Sequence, residues 1–281
     1  MNWFLKMTVK IIISRIPFGY QFWQKIGLFR HGSMDNSEYS ISVFQSHIIS
    51  SRYGSDINGK VILELGPGDS ISTAIIAASY GAKAILIDVG NYVKEDLETY
   101  LKLVKSLQSK GFNPPNIENC KTIQDILSVC KAKYYTDGVY SLQKIPSDSV
   151  DLIFSQAVLE HIWKQEFFPM MSECKRILFQ NGVASHRVDL RDHLGGALNS
   201  LRFSERIWES KFFIRSGFYT NRIRFNQMDQ IFKRAGFVVN YPKIDKWDIL
   251  PTPISKMDQT FQKLSDDLLI SGFHVILQKL N

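Results

Sequence analysis

The segment 61–70 carries the residues best suited to bind a small molecule. It reads Val-Ile-Leu-Glu-Leu-Gly-Pro-Gly-Asp-Ser, so an apolar stretch runs into Gly66, Pro67 and Gly68. Glycines at such a turn let the backbone approach a ligand without a Cβ atom in the way, and a helix beginning there presents free N–H groups. Asp88 ends the next apolar stretch and is placed to accept hydrogen bonds from ribose hydroxyls. This order of features predicts a site for a nucleoside-type cofactor.

The charge beside the glycines favours a cationic cofactor. A dinucleotide fingerprint has a third glycine beside the pyrophosphate, and Ser70 stands at that position here. Glu64, two residues before Gly66, would repel a pyrophosphate and attract a cation. S-adenosylmethionine has a sulfonium and an ammonium group and no phosphate, so it fits this loop better than NAD. The structural alternative is that Glu64 merely ends a strand.

A second polar cluster, residues 186–193, begins on a predicted strand and runs off its carboxyl end as His-Arg-Val-Asp-Leu-Arg-Asp-His. Histidine has a pKa suited to accepting a proton near neutrality, and an aspartate can orient it. We therefore expect His186 or His193 to act as a base beside Asp189, with His161 as a further candidate. An ion-pair network that only stabilises the end of the strand is the alternative.

Arginine and tyrosine side chains near this cluster are candidates to bind a substrate. Guanidinium groups bind phosphate and carboxylate well, which would suit an anionic acceptor. A solvated protein surface explains the same residues equally well. The candidates are Arg187, Arg191, Tyr219, Arg222 and Arg224.

These side chains need a sheet to bring them together, and the chain from residue 59 onwards predicts one. Short apolar runs alternate with helical patterns, which favours a parallel sheet with helices on both faces. Helices are predicted over 70–80, 92–110, 157–179 and 227–235. Strands are predicted over 61–65, 84–88, 150–155, 183–188, 237–241 and 273–279.

Taken in order, these motifs resemble the class I S-adenosylmethionine-dependent methyltransferases. The spacing Glu64-x-Gly66-x-Gly68-x-Ser70 is similar to the first motif of that family, and segments 145–161 and 173–182 resemble its later ones. The resemblance implies an α/β fold with a Rossmann-like, doubly wound, seven-stranded sheet, mostly parallel with one antiparallel strand. It also implies S-adenosylmethionine as the cofactor.

The resemblance assigns further residues to the cofactor. Asp88 matches the ribose-binding acid of the family, and Asp137 stands where its adenine-binding acid falls. A plain turn at Asp137-Gly138 is the alternative. Ser155 and Gln156 end the fourth strand, where ligands of such sheets bind.

The function that follows is methyl transfer to a hydroxyl of a small-molecule, lipid or glycan acceptor. A non-catalytic cofactor-binding or scaffold protein on the same fold is the alternative. An NAD(P)-dependent oxidoreductase is less favoured. The spacing Tyr140-x-x-x-Lys144 resembles the Tyr-x-x-x-Lys pair of short-chain dehydrogenases, but that family places the pair after the fifth strand, whereas here it precedes the fourth. Nucleic acid is a disfavoured acceptor, because the excess positive charge is not spread over the chain and no RNA-binding module is present.

The net charge of +7, from 34 Lys and Arg against 27 Asp and Glu, is concentrated at the N-terminus. Five basic residues precede the first acid, Asp35, in a stretch that also holds many bulky apolar side chains. Residues 1–58 are predicted to form a helical extension that covers a methyltransferase domain over 59–281, with 190–235 as an insertion or lid. The alternative for 1–16, where Leu5, Val9, Ile12 and Ile16 share a helical face, is a peripheral membrane contact.

Three cysteines, Cys120, Cys130 and Cys174, share no C-x-x-C spacing. This pattern argues against a disulfide framework and against a zinc site, and it suits a reducing compartment. We therefore expect a cytoplasmic protein without a metal, with the inner face of a membrane as the alternative location. The oligomeric state does not follow from the sequence.

Overall fold

A computed structural model describes residues 3–15, 33–51 and 53–279. At its centre is a seven-stranded sheet in the order β3-β2-β1-β4-β5-β7-β6. Strand β7 is antiparallel to both of its neighbours, and the other pairs are parallel. The predicted Rossmann-like α/β sheet with one antiparallel strand is therefore confirmed. The strands are β1 (Val61–Leu65), β2 (Lys83–Ile87), β3 (Lys133–Tyr135), β4 (Val150–Gln156), β5 (Leu178–Asp189), β6 (Val238–Lys246) and β7 (Ile270–Gln278).

Helices lie on both faces of the sheet, as crossover connections between parallel strands require. Short 3-10 turns cover Leu159–His161, Asn199–Arg202 and Ile254–Lys256. The helices are α1 (Trp3–Arg15), α2 (Ser37–Ile49), α3 (Ser72–Ser79), α4 (Leu97–Ser109), α5 (Ile123–Val129), α6 (Val139–Gln143), α7 (Lys164–Ile177), α8 (Glu205–Trp208), α9 (Lys211–Ile214), α10 (Phe225–Arg234), α11 (Gln259–Gln262) and α12 (Ser265–Leu268).

Two hydrophobic clusters fill the two sides of the sheet. Successive side chains of β4 alternate between them, so Phe154 belongs to one cluster and Ile153 to the other. On the first side, α2 contributes Ile41, Phe44 and Ile48 to the same cluster as the sheet. Helix α2 is thus part of the main core, although it precedes β1 in the chain.

The helix predicted over 157–179 has the wrong bounds. Ala157 has a φ of +54°, and only a 3-10 turn follows before α7 begins at Lys164. A left-handed residue at this point interrupts a continuous α-helix, and Leu178 already belongs to β5. His161 therefore lies on a turn at the carboxyl edge of the sheet.

A structure that we call the cap lies beyond this edge, built from segments 190–224 and 247–269. The first segment follows β5 and the second joins β6 to β7. They meet in an apolar cluster, and the Asp258 amide donates to the Leu201 carbonyl at 2.8 Å. Helix α10 lies outside the cap, because Met228 and Phe232 pack against the sheet. The sequence had predicted one insertion over 190–235, without the contribution from 247–269.

Candidate functional site

The glycine loop after β1 is held against the end of β2 by two backbone amides. Gly66 N–H donates to the Ile87 carbonyl at 2.8 Å, and Gly68 N–H donates to Asp88 Oδ2 at 3.0 Å. Both glycines have positive φ values, +70° and +64° respectively, which suit glycine far better than other residues. The loop and the acid predicted to bind ribose therefore lie side by side.

Gly66 also leaves no room for a side chain. A Cβ atom added there would lie 2.6 Å from one methyl carbon of Val158 and 2.9 Å from the other. Val158 follows β4, so the absence of a side chain at position 66 lets the β4 connection pack directly against the glycine loop. The glycine is required both by its backbone conformation and by this contact.

Glu64 is buried beneath the loop, and its Oε2 atom has no hydrogen-bond partner within the described residues. Burial raises the pKa of Glu64 to about 8, and the neighbouring Asp88 carboxylate acts in the same direction. A cation binding nearby would offset both effects, because it favours the ionised carboxylate. A buried carboxyl group with one unpartnered oxygen beside a glycine cradle fits S-adenosylmethionine, which is cationic.

Asp137, the predicted adenine contact, lies on a turn beside Asp88. The Gly138 amide donates to the Asp88 carbonyl at 2.8 Å. The Asp137 carboxylate itself is exposed and accepts a hydrogen bond from Lys144 Nζ at 2.6 Å. The structure brings this turn to the cofactor region, and the role of the Asp137 side chain stays a prediction.

Ser155 and His186 pair across β4 and β5 inside the sheet. Ser155 Oγ and His186 Nδ1 are 2.8 Å apart, and both side chains are fully buried. Burial lowers the pKa of His186 to about 3, so the ring is neutral at physiological pH. A ring without solvent access cannot touch an acceptor hydroxyl, so this position argues against His186 as the base.

Gln156 faces the opposite side of the sheet and is held by a buried network that sequence reasoning missed. His47 on α2 lies 3.3 Å from Gln156 Oε1 through Nε2 and 2.7 Å from Ser185 Oγ through Nδ1. Ser185 Oγ in turn lies 2.8 Å from His274 Nε2. The residues come from α2, β4, β5 and β7, so no local pattern links them.

His161 and His193 form a pair at the edge of the sheet, below the cap. Their Nε2 atoms are 3.1 Å apart, and their rings stack with centroids 4.9 Å apart. His161 Nδ1 lies 3.0 Å from the Tyr219 carbonyl, which can only accept, so Nδ1 of His161 carries a proton. When the His161 ring is neutral, its Nε2 atom carries no proton and accepts a hydrogen bond from the Nε2–H group of His193. His193 then has its proton on Nε2 and a lone pair on Nδ1.

The two aspartates of the 186–193 cluster have different tasks. Asp189 binds Arg191 through two parallel hydrogen bonds of 2.8 and 2.7 Å. Burial opposes ionisation of Asp189, but these bonds hold its pKa below the ordinary value. Asp192 accepts from the amides of Leu194, Ala197, Asn199 and Ser200 and so shapes the loop that follows His193.

The other predicted substrate residues contact the protein itself. Arg222 donates to the Phe203 carbonyl at 2.6 Å and pairs with Glu205, whereas buried Arg224 donates to the carbonyls of Leu190 and Ile270. Arg187 pairs with Asp245 and Tyr219 donates to Glu209. These partners argue against the predicted binding of an anionic acceptor by Arg222 and Arg224, because the Arg222 guanidinium is used within the cap and the Arg224 guanidinium joins the cap to β7.

The N-terminal helix α1 reaches this edge as well. Met7 packs in one cluster with Leu194, Trp208 and Phe213 of the cap. The charges of Lys6 and Lys10 act on the His193 ring. Within the described residues, no helix is both long enough and apolar enough to cross a bilayer. Residues 1–2 and 16–32, which belong to the predicted extension, lie outside the described part of the chain.

Comparison with known proteins identifies the domain that contains the glycine loop. The family of methyltransferase domains matches residues 63–185, from β1 into β5. A search of curated proteins finds no match to this chain.

Solved structures similar to this chain include methyltransferases. A SAM-dependent methyltransferase from Archaeoglobus fulgidus is 12% identical, with a TM-score of 0.47 over 87% of this chain and 95% of that one. The YcgJ protein from Bacillus subtilis is 14% identical, with a TM-score of 0.48 over 87% and 99%. Phosphoethanolamine N-methyltransferase 2 from Haemonchus contortus, solved with S-adenosyl-L-methionine, is 15% identical, with a TM-score of 0.44; the match covers 84% of this chain and 52% of that enzyme.

Proposed function

The chain carries a class I S-adenosylmethionine-dependent methyltransferase domain, and on that premise we propose that it methylates a hydroxyl group of a small-molecule, lipid or glycan acceptor. S-adenosylmethionine is the cofactor, and when bound it supplies a methyl carbon made electrophilic by the sulfonium. The glycine loop with Glu64 and Asp88 would hold it at the ends of β1 and β2. The protein must then position the acceptor and remove its proton.

The pairing of His161 with His193 is the observation that carries this proposal. His193 Nδ1 is the atom that would take the proton from the acceptor hydroxyl. His161 accepts from His193 Nε2 and is itself oriented by the Tyr219 carbonyl. Enzymes that activate a hydroxyl nucleophile often use a base that is oriented by a hydrogen bond to a second group, which is oriented in turn by a third.

The environment keeps His193 in the form that a base needs. Surrounding protein lowers the pKa of His193, and the His161 ring and Lys10 charge add to that effect. Asp189 acts in the opposite direction and would stabilise the ring once it has gained the proton. Protein surrounds much of the His193 ring, but part of the residue reaches the surface, unlike His186, so an acceptor can approach it.

A labelled-methyl transfer assay tests the proposal. Full-length protein and labelled S-adenosylmethionine are added to cell extract divided into lipid, glycan, small-molecule and RNA fractions. We expect label in one of the first three, on oxygen, and a fall in turnover of roughly 10²–10⁴ for His193→Gln with S-adenosylhomocysteine affinity unchanged. Label on nitrogen or carbon, label only in RNA, or full activity of His193→Gln would contradict it.

The variant His161→Gln serves as the matched comparison in the same assay. It loses the orienting partner but keeps His193, so its loss of turnover should be smaller than that of His193→Gln. Equal melting temperatures of both variants and the unaltered protein would show that the losses come from chemistry and not from unfolding.

A further inference from the structure

Helix α1 has apolar side chains on two opposite faces. Trp3, Met7 and Ile11 face the cap and pack with its aromatic cluster. Among the described residues, the opposite face of the helix carries Leu5, Val9 and Ile12, which are exposed by 53%, 38% and 58%. Three large apolar side chains thus lie exposed on one side of a helix of 13 residues.

The cap extends this apolar face beyond the end of α1. Arg15 Nη2 donates to the Phe212 carbonyl at 2.6 Å, and its guanidinium lies 4.6 Å from the Phe212 ring centroid. The Phe212 ring itself is about half exposed. We call the four side chains of Leu5, Val9, Ile12 and Phe212 the outer apolar face.

Positive charge borders the outer apolar face on both sides. With 100° between successive residues, Lys6 stands on one side of the line through Leu5, Val9 and Ile12, and Arg15 stands on the other. Residues 1–34 contain five Lys and Arg and no Asp or Glu. An apolar helical face bordered by basic residues complements a layer that has an apolar interior and negatively charged groups at its surface.

We propose that the outer apolar face rests in the interfacial layer of an anionic lipid bilayer. The helix would lie in the plane of the membrane, with its inner face on the cap and its outer face among the acyl chains. Apolar burial would hold it there, and Lys6 and Arg15 would be drawn to lipid phosphates.

Docking in this way brings the candidate site to the membrane surface. Met7 of α1 packs with Leu194, the neighbour of His193 in the chain. An acceptor carried by a lipid would therefore meet the site at the bilayer surface. This consequence rests on the proposed function, whereas the docking itself does not.

Vesicle sedimentation with the full-length protein tests the docking without any acceptor. The vesicles are phosphatidylcholine alone or phosphatidylcholine with about 30% phosphatidylglycerol. We expect binding to the anionic vesicles, weaker binding to the neutral ones, and loss of binding as NaCl rises from about 50 to about 500 mM. Protein that stays in the supernatant with anionic vesicles at low salt would overturn the proposal.

Matched variants locate the contact on α1. The triple variant Leu5→Ser, Val9→Ser, Ile12→Ser should bind anionic vesicles at least about tenfold more weakly, because its apolar contacts are lost. The control Ile49→Ser, Val129→Ser, Ile249→Ser changes three exposed apolar side chains elsewhere and should bind as the unaltered protein does. Equal binding by both triple variants would overturn the proposal.

Two further measurements distinguish loss of membrane binding from misfolding and from dimer formation. S-adenosylhomocysteine binding should be the same in all three proteins, which shows that the fold is intact whether or not methyl transfer is found. Light scattering in solution tests whether a second copy of the chain, instead of a membrane, covers the outer apolar face. A dimer that the α1 triple variant dissociates, without vesicle binding, would replace the membrane proposal.

Discussion

The Gly68 amide donates a hydrogen bond to Asp88 Oδ2 at 3.0 Å and so joins the loop after β1 to the end of β2. The other carboxylate oxygen of Asp88 accepts from the Val89 amide at 2.7 Å. Two backbone amides therefore set the orientation of the carboxylate. A group held this way loses little freedom when a ligand binds, which favours affinity.

Replacing Asp88 by Ala should weaken cofactor binding without unfolding the protein. Hydrogen bonds between a carboxylate and ribose hydroxyls contribute about 1.5–3 kcal/mol, so S-adenosylhomocysteine should bind roughly 10- to 100-fold more weakly in calorimetry. Asp148→Ala removes an exposed carboxylate that pairs with Lys279 and should leave binding unchanged. NAD should give no binding heat with the unaltered protein. Undiminished affinity of Asp88→Ala would refute the assignment.

Replacing Gly66 by Ala should destabilise the fold through two separable effects. The positive φ costs about 1 kcal/mol for a residue with a Cβ atom, and the clash with Val158 adds about 1–3 kcal/mol. Gly111→Ala provides the comparison, because its φ is +83° but nothing lies within 4 Å of the added Cβ atom. Chemical denaturation should show a larger loss for Gly66→Ala than for Gly111→Ala.

The clash between a Cβ atom at position 66 and Val158 can be relieved by shortening the Val158 side chain. The double variant Gly66→Ala, Val158→Ala should recover part of the stability lost by Gly66→Ala, after correction for the cost of Val158→Ala alone. Strictly additive losses would mean that the two positions do not touch, contrary to the structure.

The acid limb of the pH profile should respond to the charges around His193. A base must be neutral to act, so kcat/KM rises with pH through the pKa of His193 in the free enzyme. Lys10 lowers that pKa and Asp189 raises it. Lys10→Met should therefore move the limb to higher pH, and Asp189→Asn should move it to lower pH. Shifts in the same direction, or none, would show that another group is the base.

Protein stability should depend on pH through Glu64. Burial raises the pKa of Glu64 from 4.5 to about 8 in the folded protein, so the folded state holds this proton more tightly than the unfolded state. The free energy of unfolding must then fall as pH rises from about 4.5 to about 8, by up to about 1.4 kcal/mol per pH unit. Glu64→Gln should flatten the profile measured by urea unfolding in that range.

Glu98→Gln is the control for this experiment, because Glu98 is an exposed residue paired with Lys102 on one face of α4. Its profile should follow that of the unaltered protein. Glu160 has a pKa raised by burial to about the same value, so some slope should persist in Glu64→Gln. A Glu64→Gln profile as steep as the original would contradict the buried, protonated state of Glu64.

Much of the fold could be predicted because it depends on local patterns. Strand β1 has the bounds that its apolar run predicts, and Gly66, Gly68 and Asp88 meet as the motif implies. A buried strand needs a run of apolar residues and a tight loop needs glycine, so both leave a mark in a few neighbouring positions.

The acceptor side depended on contacts between distant segments. His161 and His193 are 32 positions apart, and only the turn after β4 and the loop after β5 bring their rings together. Arg222 and Arg224 look like ligand-binding residues in the sequence, yet the structure uses them to bind backbone carbonyls. The sequence does not show whether a charged side chain binds a substrate or another part of its own protein.

The sequence by itself therefore determined six of the seven strands, the glycine loop and the cofactor class, because each follows from residue types within a short span. Strand β3 was implied only by the family resemblance. Tertiary structure decided which histidine is reachable, which arginines are used internally, and that 247–269 completes the cap. It also decided which face of α1 is covered, since apolar residues lie on both of its faces. Burial and exposure are set by what packs against a side chain, and that partner comes from elsewhere in the chain.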